Sequence, residues 1–148
     1  MRYSRVRIRK RLAILFAAVT LAISAFYMVV SSPPPPAATG LIMLFPPTMH
    51  PHVAAEITVA AVDDYMQIDP NRDDLIRISL NPGSRARLGL AETPQSEWAQ
   101  NLTVRLVNGK ASFMMMGERL EMVVMCAEWI DGRSPLRPLT TMKEIGVD

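Results

Sequence analysis

One short cluster of this chain combines side chains that bind soft metal ions. Met49-His50-Pro51-His52 places a thioether beside two imidazoles, a ligand set that suits copper better than zinc. The sequence holds only these two histidines and one cysteine, and it lacks the Cys–His–Met order of a blue-copper site. The cluster therefore defines an alternative hypothesis, a tethered copper carrier with Met49, His50 and His52 as its metal ligands.

A second cluster offers oxygen ligands at the spacing that begins a calcium loop. Asp69, Asn71 and Asp73 occupy positions 1, 3 and 5 of such a loop. A complete loop continues with glycine at position 6 and a bidentate glutamate at position 12, where this chain has Asp74 and Leu80. Because that glutamate is missing, and because Asp-Pro-Asn is an ordinary turn sequence, a solvated turn is the favoured interpretation.

Catalytic motifs are missing from the sequence. It contains neither G-x-S-x-G nor H-E-x-x-H. Cys126 lies in the apolar run 122–127, where a buried, inert thiol is the expected state. Glu118, Glu121 and Glu128 fall at strand positions with different facings. We expect no enzyme activity and no cofactor.

Methionine is abundant, with 11 residues in the chain. Met122 and Met125 fall in a predicted strand, Leu120–Ile130, whose two faces are both apolar over residues 122–127, and the Met114–Met116 run precedes it. Such a strand is either covered on both sides by its own domain or exposed as a docking surface, where flexible methionines adapt to a partner. The docking hypothesis assigns partner binding to Met114, Met116, Val123 and Met125.

A β-hairpin is predicted around Asn108-Gly109, because both residues accept the positive φ of a type I′ turn. Folding the chain at this turn gives one apolar face and one mostly polar face, as a half-buried sheet requires. The apolar face would pair Leu106 with Ala111, Val104 with Phe113, and Leu102 with Met115. The polar face would pair Val107 with Lys110, Arg105 with Ser112, and Thr103 with Met114.

The remaining segments also favour strands. Gly40–Phe45 is a first strand or a segment lying on a membrane surface. The β-branched residues of His52–Val62 favour a strand over a helix, and Leu75–Leu80 is a strand that a turn at Asn81–Ser84 closes. After Asp131–Pro135 the tail to residue 148 is expected to be irregular. Residues 40–148 are thus predicted to form a small, mainly antiparallel β domain, a sandwich or an open barrel.

The first 30 residues predict a membrane anchor. Residues 1–11 carry six basic and no acidic side chains, and residues 12–30 follow without a charge. A helix of this length spans roughly 28 Å, about one hydrocarbon core, and Tyr3, Phe26 and Tyr27 suit its two interfaces. The positive-inside rule places the N-terminus in the cytoplasm and the rest in the periplasm. A cleaved signal peptide is the alternative, although the apolar run is long and no A-x-A-like site ends it.

Residues 31–39 are a proline-rich linker that can extend as a polyproline II spacer of roughly 28 Å. All 14 acidic residues follow this anchor, so the exported part is net acidic and the basic tail is a topology signal. We therefore expect no nucleic-acid binding. With a single cysteine the exported domain cannot form an internal disulfide.

A tethered β domain without a catalytic set is typical of a binding subunit. The sequence therefore predicts a non-catalytic accessory subunit of a larger bacterial inner-membrane complex, of respiratory or photosynthetic type. Its partners would be integral-membrane subunits and the lipid bilayer. Alanines 17, 18, 22 and 25 give the predicted helix a small-residue side that suits contact with other helices.

Overall fold

The computed structural model describes residues 37–146, which form two four-stranded antiparallel sheets. Sheet A has the strand order β1-β2-β6-β4, and sheet B has the order β5-β3-β7-β8. The predicted small antiparallel sandwich is confirmed. Its strands are β1 (Gly40–Leu44), β2 (Ala55–Val62), β3 (Leu75–Leu80), β4 (Arg87–Gly89), β5 (Asn101–Arg105), β6 (Lys110–Met116), β7 (Glu121–Asp131) and β8 (Leu139–Ile145).

The hydrophobic core lies between the two sheets. Successive side chains of a strand point to opposite faces, so every second residue of the long strands is buried. Both sheets contribute fully or almost fully buried side chains, which include Ile57, Val59, Phe113 and Met115 from sheet A and Ile76, Ile78, Val123, Met125 and Ala127 from sheet B.

The Asn108-Gly109 turn forms, but the predicted hairpin does not extend beyond it. Asn108 has φ 52° and Gly109 has φ 77°, and Val107 donates its N–H to the Lys110 carbonyl at 2.7 Å. Beyond this one pair the chain diverges: β5 pairs with β3 in sheet B, whereas β6 pairs with β2 and β4 in sheet A.

The predicted cross-strand pairs of the hairpin, apart from Val107 with Lys110, are therefore wrong. The facing of the side chains is nevertheless right, because Val104 and Phe113 are both in the core. In a sandwich, two apolar strand faces can be buried by facing each other across the core instead of lying side by side. The alternation of apolar residues is the same in both cases.

Other strands agree with the sequence in part. The favoured strand at 52–62 is confirmed as β2, and the strand at 75–80 ends in the predicted turn, where Gly83 has φ 87°. The short strand β4 was not predicted. The tail was expected to be irregular, but residues 139–145 form β8, which pairs along β7 from Glu121↔Ile145 to Ala127↔Leu139.

The predicted cytoplasmic tail (1–11), the transmembrane helix (12–30), and Tyr3, Phe26 and Tyr27 all lie outside the described residues. Within residues 37–146, no helix has the length and apolar character needed to cross a bilayer. The last residues of the predicted linker belong to the domain: Ala38 donates its N–H to Asp69 Oδ2 at 3.1 Å, and Thr39 donates its N–H to the Val62 carbonyl at 2.9 Å.

Candidate docking surface

The two faces of β7 have different environments. Val123, Met125 and Ala127 have no solvent exposure and form part of the core, whereas Met122, on the opposite face, is 54% exposed. Sheet A covers the first face, and none of the described residues forms a layer over the second. The sequence-based assignment of Val123 and Met125 to partner binding is therefore corrected: both side chains hold the sandwich together.

The exposed face of sheet B carries Met122, Val124 and Met142, and together with the exposed Leu120, which directly precedes β7, we term these side chains the methionine strip. Leu120, immediately before β7, is 55% exposed, and Met142 on β8 is 68% exposed. Val124 is half-buried and lies directly opposite Met142 across the β7–β8 pair. Directly opposed residues of antiparallel strands have Cβ atoms about 5 Å apart, so the strip is continuous across the two strands.

Polar groups border the methionine strip. Glu144 lies opposite Met122, and Thr140 lies opposite Cys126. The half-buried Cys126 thiol accepts a hydrogen bond from Thr140 Oγ1 at 3.8 Å. An apolar centre with a polar border is the usual arrangement of a protein–protein interface.

Met114 and Met116 lie on the other sheet. Both are half-buried on the outer face of β6, where Met114 lies opposite Glu56 and Met116 lies opposite Arg87. The four residues predicted to bind a partner are thus not brought together. Two are in the core, and two are on the side of the sandwich opposite the methionine strip.

One of the three predicted copper ligands is buried in the hydrophobic core. Met49 is only 4% exposed and packs in the hydrophobic cluster, whereas His52 is exposed, with φ 61° and its N–H donated to the Gly117 carbonyl. His50 is half-buried. Within residues 37–146, no group of three or more His, Cys, Asp and Glu side chains has the geometry to hold a metal ion.

The partial calcium motif forms a turn whose first carboxylate is already engaged. Asp69 is 4% exposed, and its two oxygens accept the N–H groups of Ala38 and Asn71 at 3.1 and 3.0 Å. Asn71 and Asp73 are exposed. Asp69 therefore fastens the start of the domain to this turn. The segment is a turn, as expected, but its first carboxylate is buried instead of solvated.

A buried ion pair next to this turn was missed by the sequence reasoning. Arg72 and Asp74 are 3% and 0% exposed, and Arg72 Nε donates to Asp74 Oδ2. The other Asp74 oxygen accepts the indole N–H of Trp129 and the backbone N–H of Arg133, and the Arg72 guanidinium also donates to Ser134. Each nitrogen of the Arg72 guanidinium and each oxygen of the Asp74 carboxylate thus has a hydrogen-bond partner, and the pair links the 69–74 turn to the 131–135 turn.

The Asp64 carboxyl forms a surface cluster with Thr39 and Arg137. Hydrogen bonds from Thr39 Oγ1 at 2.8 Å and from Arg137 Nη2, together with the Arg137 charge, hold the pKa of the Asp64 carboxyl below its ordinary value. Asp64 and its two partners are all at the surface. The group connects the β2–β3 loop with the segment before β8.

Comparisons with known proteins identify the fold only. No family model matches the chain, and none of the curated proteins matches it by sequence. Among solved structures, a glycosyl hydrolase family 2 member from Bacteroides cellulosilyticus superposes with a TM-score of 0.56 and 14% identity, covering 75% of this chain and 14% of the hydrolase.

A beta-glycosidase from Bacteroides vulgatus (TM-score 0.53, 9% identity) covers 74% of this chain, and a beta-glucuronidase from Parabacteroides merdae (TM-score 0.52, 11% identity) covers 72%. The chain spans only 14% and 12% of these two enzymes. At these identities the likeness shows that the sandwich recurs as a small part of larger proteins.

Proposed function

We propose that this protein is a membrane-anchored, non-catalytic accessory subunit that docks on a larger inner-membrane complex of bacteria through the methionine strip. The observation that carries the proposal is the exposure of this strip on the uncovered face of sheet B. The anchor is the apolar segment 12–30, and the partners are integral-membrane subunits of a respiratory or photosynthetic type of complex.

The strip differs from scattered surface hydrophobic residues by its continuity. Among residues 37–146, eight large hydrophobic side chains are exposed, and three of them, Leu120, Met122 and Met142, belong to the strip. Contiguous apolar surface with a polar border marks interaction sites, whereas single exposed apolar residues are common on any protein. The flexible, polarizable thioethers of methionine adapt to the shape of a partner surface.

The buried acidic groups have structural roles that support a non-catalytic function. Asp69 and Asp74 are fully engaged by backbone and side-chain donors, as described above. Every buried side-chain nitrogen or oxygen atom of the described residues has a hydrogen-bond partner.

The docking proposal is tested with the double variant Met122→Glu/Met142→Glu in the full chain, purified by an affinity tag from native membranes. Both side chains are more than half exposed, so the variant should stay folded, with a melting temperature within a few degrees of the wild type. A charge buried without a counterion at an interface costs several kcal/mol. We expect the co-purifying subunits to be lost.

The control is Leu44→Glu, which places one carboxylate at a side chain of similar exposure (53%) on the opposite sheet, and its single-charge counterpart on the strip is Met122→Glu. The Leu44→Glu variant should retain the co-purifying subunits. Loss of the subunits from both variants, or from neither, would contradict docking through the methionine strip.

The topology is tested separately with alkaline phosphatase fused after Asp148. Periplasmic activity is expected, because the basic residues 1–11 keep the N-terminus in the cytoplasm. An inactive fusion at this site, with an active one placed before Leu12, would reverse the proposed orientation.

A further inference from the structure

Strand β5 is an edge strand of sheet B with an unpaired backbone side. Leu80 donates its N–H to the Gln100 carbonyl at 2.9 Å, and Leu106 donates to the Asp74 carbonyl at 2.8 Å. Hydrogen bonds of an antiparallel strand alternate in direction from residue to residue. The backbone groups of Asn101, Thr103 and Arg105 therefore point away from β3, towards the open edge.

The other long edge strand of sheet B is covered. Lys143 of β8 extends across to the carbonyls of Pro46 and Pro47, with distances from Nζ of 2.9 and 2.8 Å, and Gly146 donates its N–H to the Met49 carbonyl. In sheet A, the edge strand β4 is only three residues long and is bridged to Ala99.

The β5 edge instead borders an open cleft of about 360 Å³ between β5 and β6, lined on the β5 side by Thr103, Val104 and Arg105 and on the β6 side by Lys110 and Ser112. Strand β5 has no proline, no bulge and no inward-pointing charge, which are devices that protect natural edges from pairing. An edge of this kind is available to another strand.

We infer that two copies of this chain pair through their β5 strands, antiparallel and centred on Thr103. The strand sequence is self-complementary in this register. Asn101 lies opposite the partner's Arg105, Leu102 lies opposite the partner's Val104, and the two Thr103 residues face each other. No like charges oppose one another.

The backbone geometry agrees with this register. The residues whose N–H and C=O groups point outwards, Asn101, Thr103 and Arg105, are the ones that would form the hydrogen-bonded pairs. About six new backbone hydrogen bonds would join the two copies of sheet B into one continuous sheet. This inference depends on neither the methionine strip nor the proposed docking function.

A cysteine cross-link tests the pairing in the full chain in its native membrane. The background is Cys126→Ser, which removes the one native thiol, and the test variant adds Thr103→Cys. In the inferred dimer the two Cα atoms of residue 103 lie about 5.5 Å apart, within the range of a disulfide. We expect a disulfide-linked homodimer under mild oxidation.

The matched control is Arg77→Cys in the same background. Arg77 is exposed and lies opposite Thr103 on β3, one strand further from the edge. In the dimer it would be about 14 Å from its copy, which is three strand spacings and too far for a disulfide. Cross-linking of Thr103→Cys should be at least tenfold faster, and equal rates, or no homodimer, would overturn the inference.

A second variant tests whether the outward-pointing N–H of Thr103 donates a hydrogen bond to the second copy. Thr103→Pro removes this outward donor and leaves the β3 ladder intact, since proline is tolerated on an open strand edge. The wild-type protein in detergent should sediment as a dimer and the proline variant as a monomer. A monomeric wild type, or a Thr103→Cys adduct with a different protein, would show that β5 does not pair with a second copy.

Discussion

At the scale of single residues, Gly132 is constrained by both its backbone and its surroundings. It has φ 143°, and a Cβ atom added there would overlap the Asp74 carboxylate, which the buried ion pair holds in place. Gly132→Ala should therefore lower the free energy of unfolding by about 3 kcal/mol, from backbone strain and displacement of Asp74. Urea denaturation measures this loss.

The control is Gly83→Ala. Gly83 also has a positive φ, 87°, but no atom lies within 4 Å of the added Cβ. Only the strain of the left-handed conformation remains, about 1 kcal/mol. Equal losses in the two variants would mean that the Asp74 carboxylate does not constrain residue 132.

Because of Asp64, the free energy of unfolding should depend weakly on pH. Its pKa is lowered by the Thr39 hydrogen bond and by Arg137, so its ionised form is favoured more in the folded than in the unfolded chain. The resulting stabilisation is present above the ordinary pKa of an aspartate and is lost as the pH falls through the lowered value. In Arg137→Gln, an NMR titration of the Asp64 carboxyl carbon should show a higher pKa than in the wild type. An unchanged pKa would rule out Arg137 as a cause.

At the scale of elements, β7 combines a core face and a surface face. Met125→Glu places a carboxylate in the core without a counterion, so we expect the domain to be unfolded at room temperature. Met122→Glu, three residues earlier and on the exposed face, should lower the free energy of unfolding by no more than about 1 kcal/mol, since the new carboxylate meets only the like charge of Glu144 on β8. Circular dichroism of the two purified variants distinguishes them, and a folded Met125→Glu variant would contradict the core position.

The positions of the elements were more predictable than their partners. The alternation of β3 and the Asn108-Gly109 turn are local signals, and the structure has both. Whether the chain continues in the same sheet after that turn depends on the strands with which β5 and β6 pair. Those strands are distant in the sequence, so the residues around the turn do not identify them. Strand β4 was missed because three residues give no measurable alternation.

The apolar composition of the docking strand was predictable from the sequence, but which of its two faces is exposed was not. Both faces of residues 122–127 are apolar, so the sequence could not say which face the other sheet covers. The answer depends on where sheet A packs, and sheet A consists of strands distant from β7 in the sequence or separated from it by a turn. Similarly, Arg72 and Asp74 lie in a charged stretch typical of solvated turns, and only the distant residues Trp129 and Ser134 make their burial possible.

At the scale of the whole molecule, the division of the chain at Asn108-Gly109 has a kinetic consequence. Because β5 and β6 enter different sheets, the most local turn of the domain does not nucleate a hairpin. The central pairings instead join residues about fifty positions apart, such as Ile57 with Phe113 and Ile78 with Ala127. The chain must lose the entropy of closing these long loops before the stabilising contacts between the strands can form. Refolding should therefore take milliseconds to seconds, as in other sandwiches. Stopped-flow fluorescence of the two tryptophans measures this rate, and submillisecond refolding would be inconsistent with the pairing of these sheets.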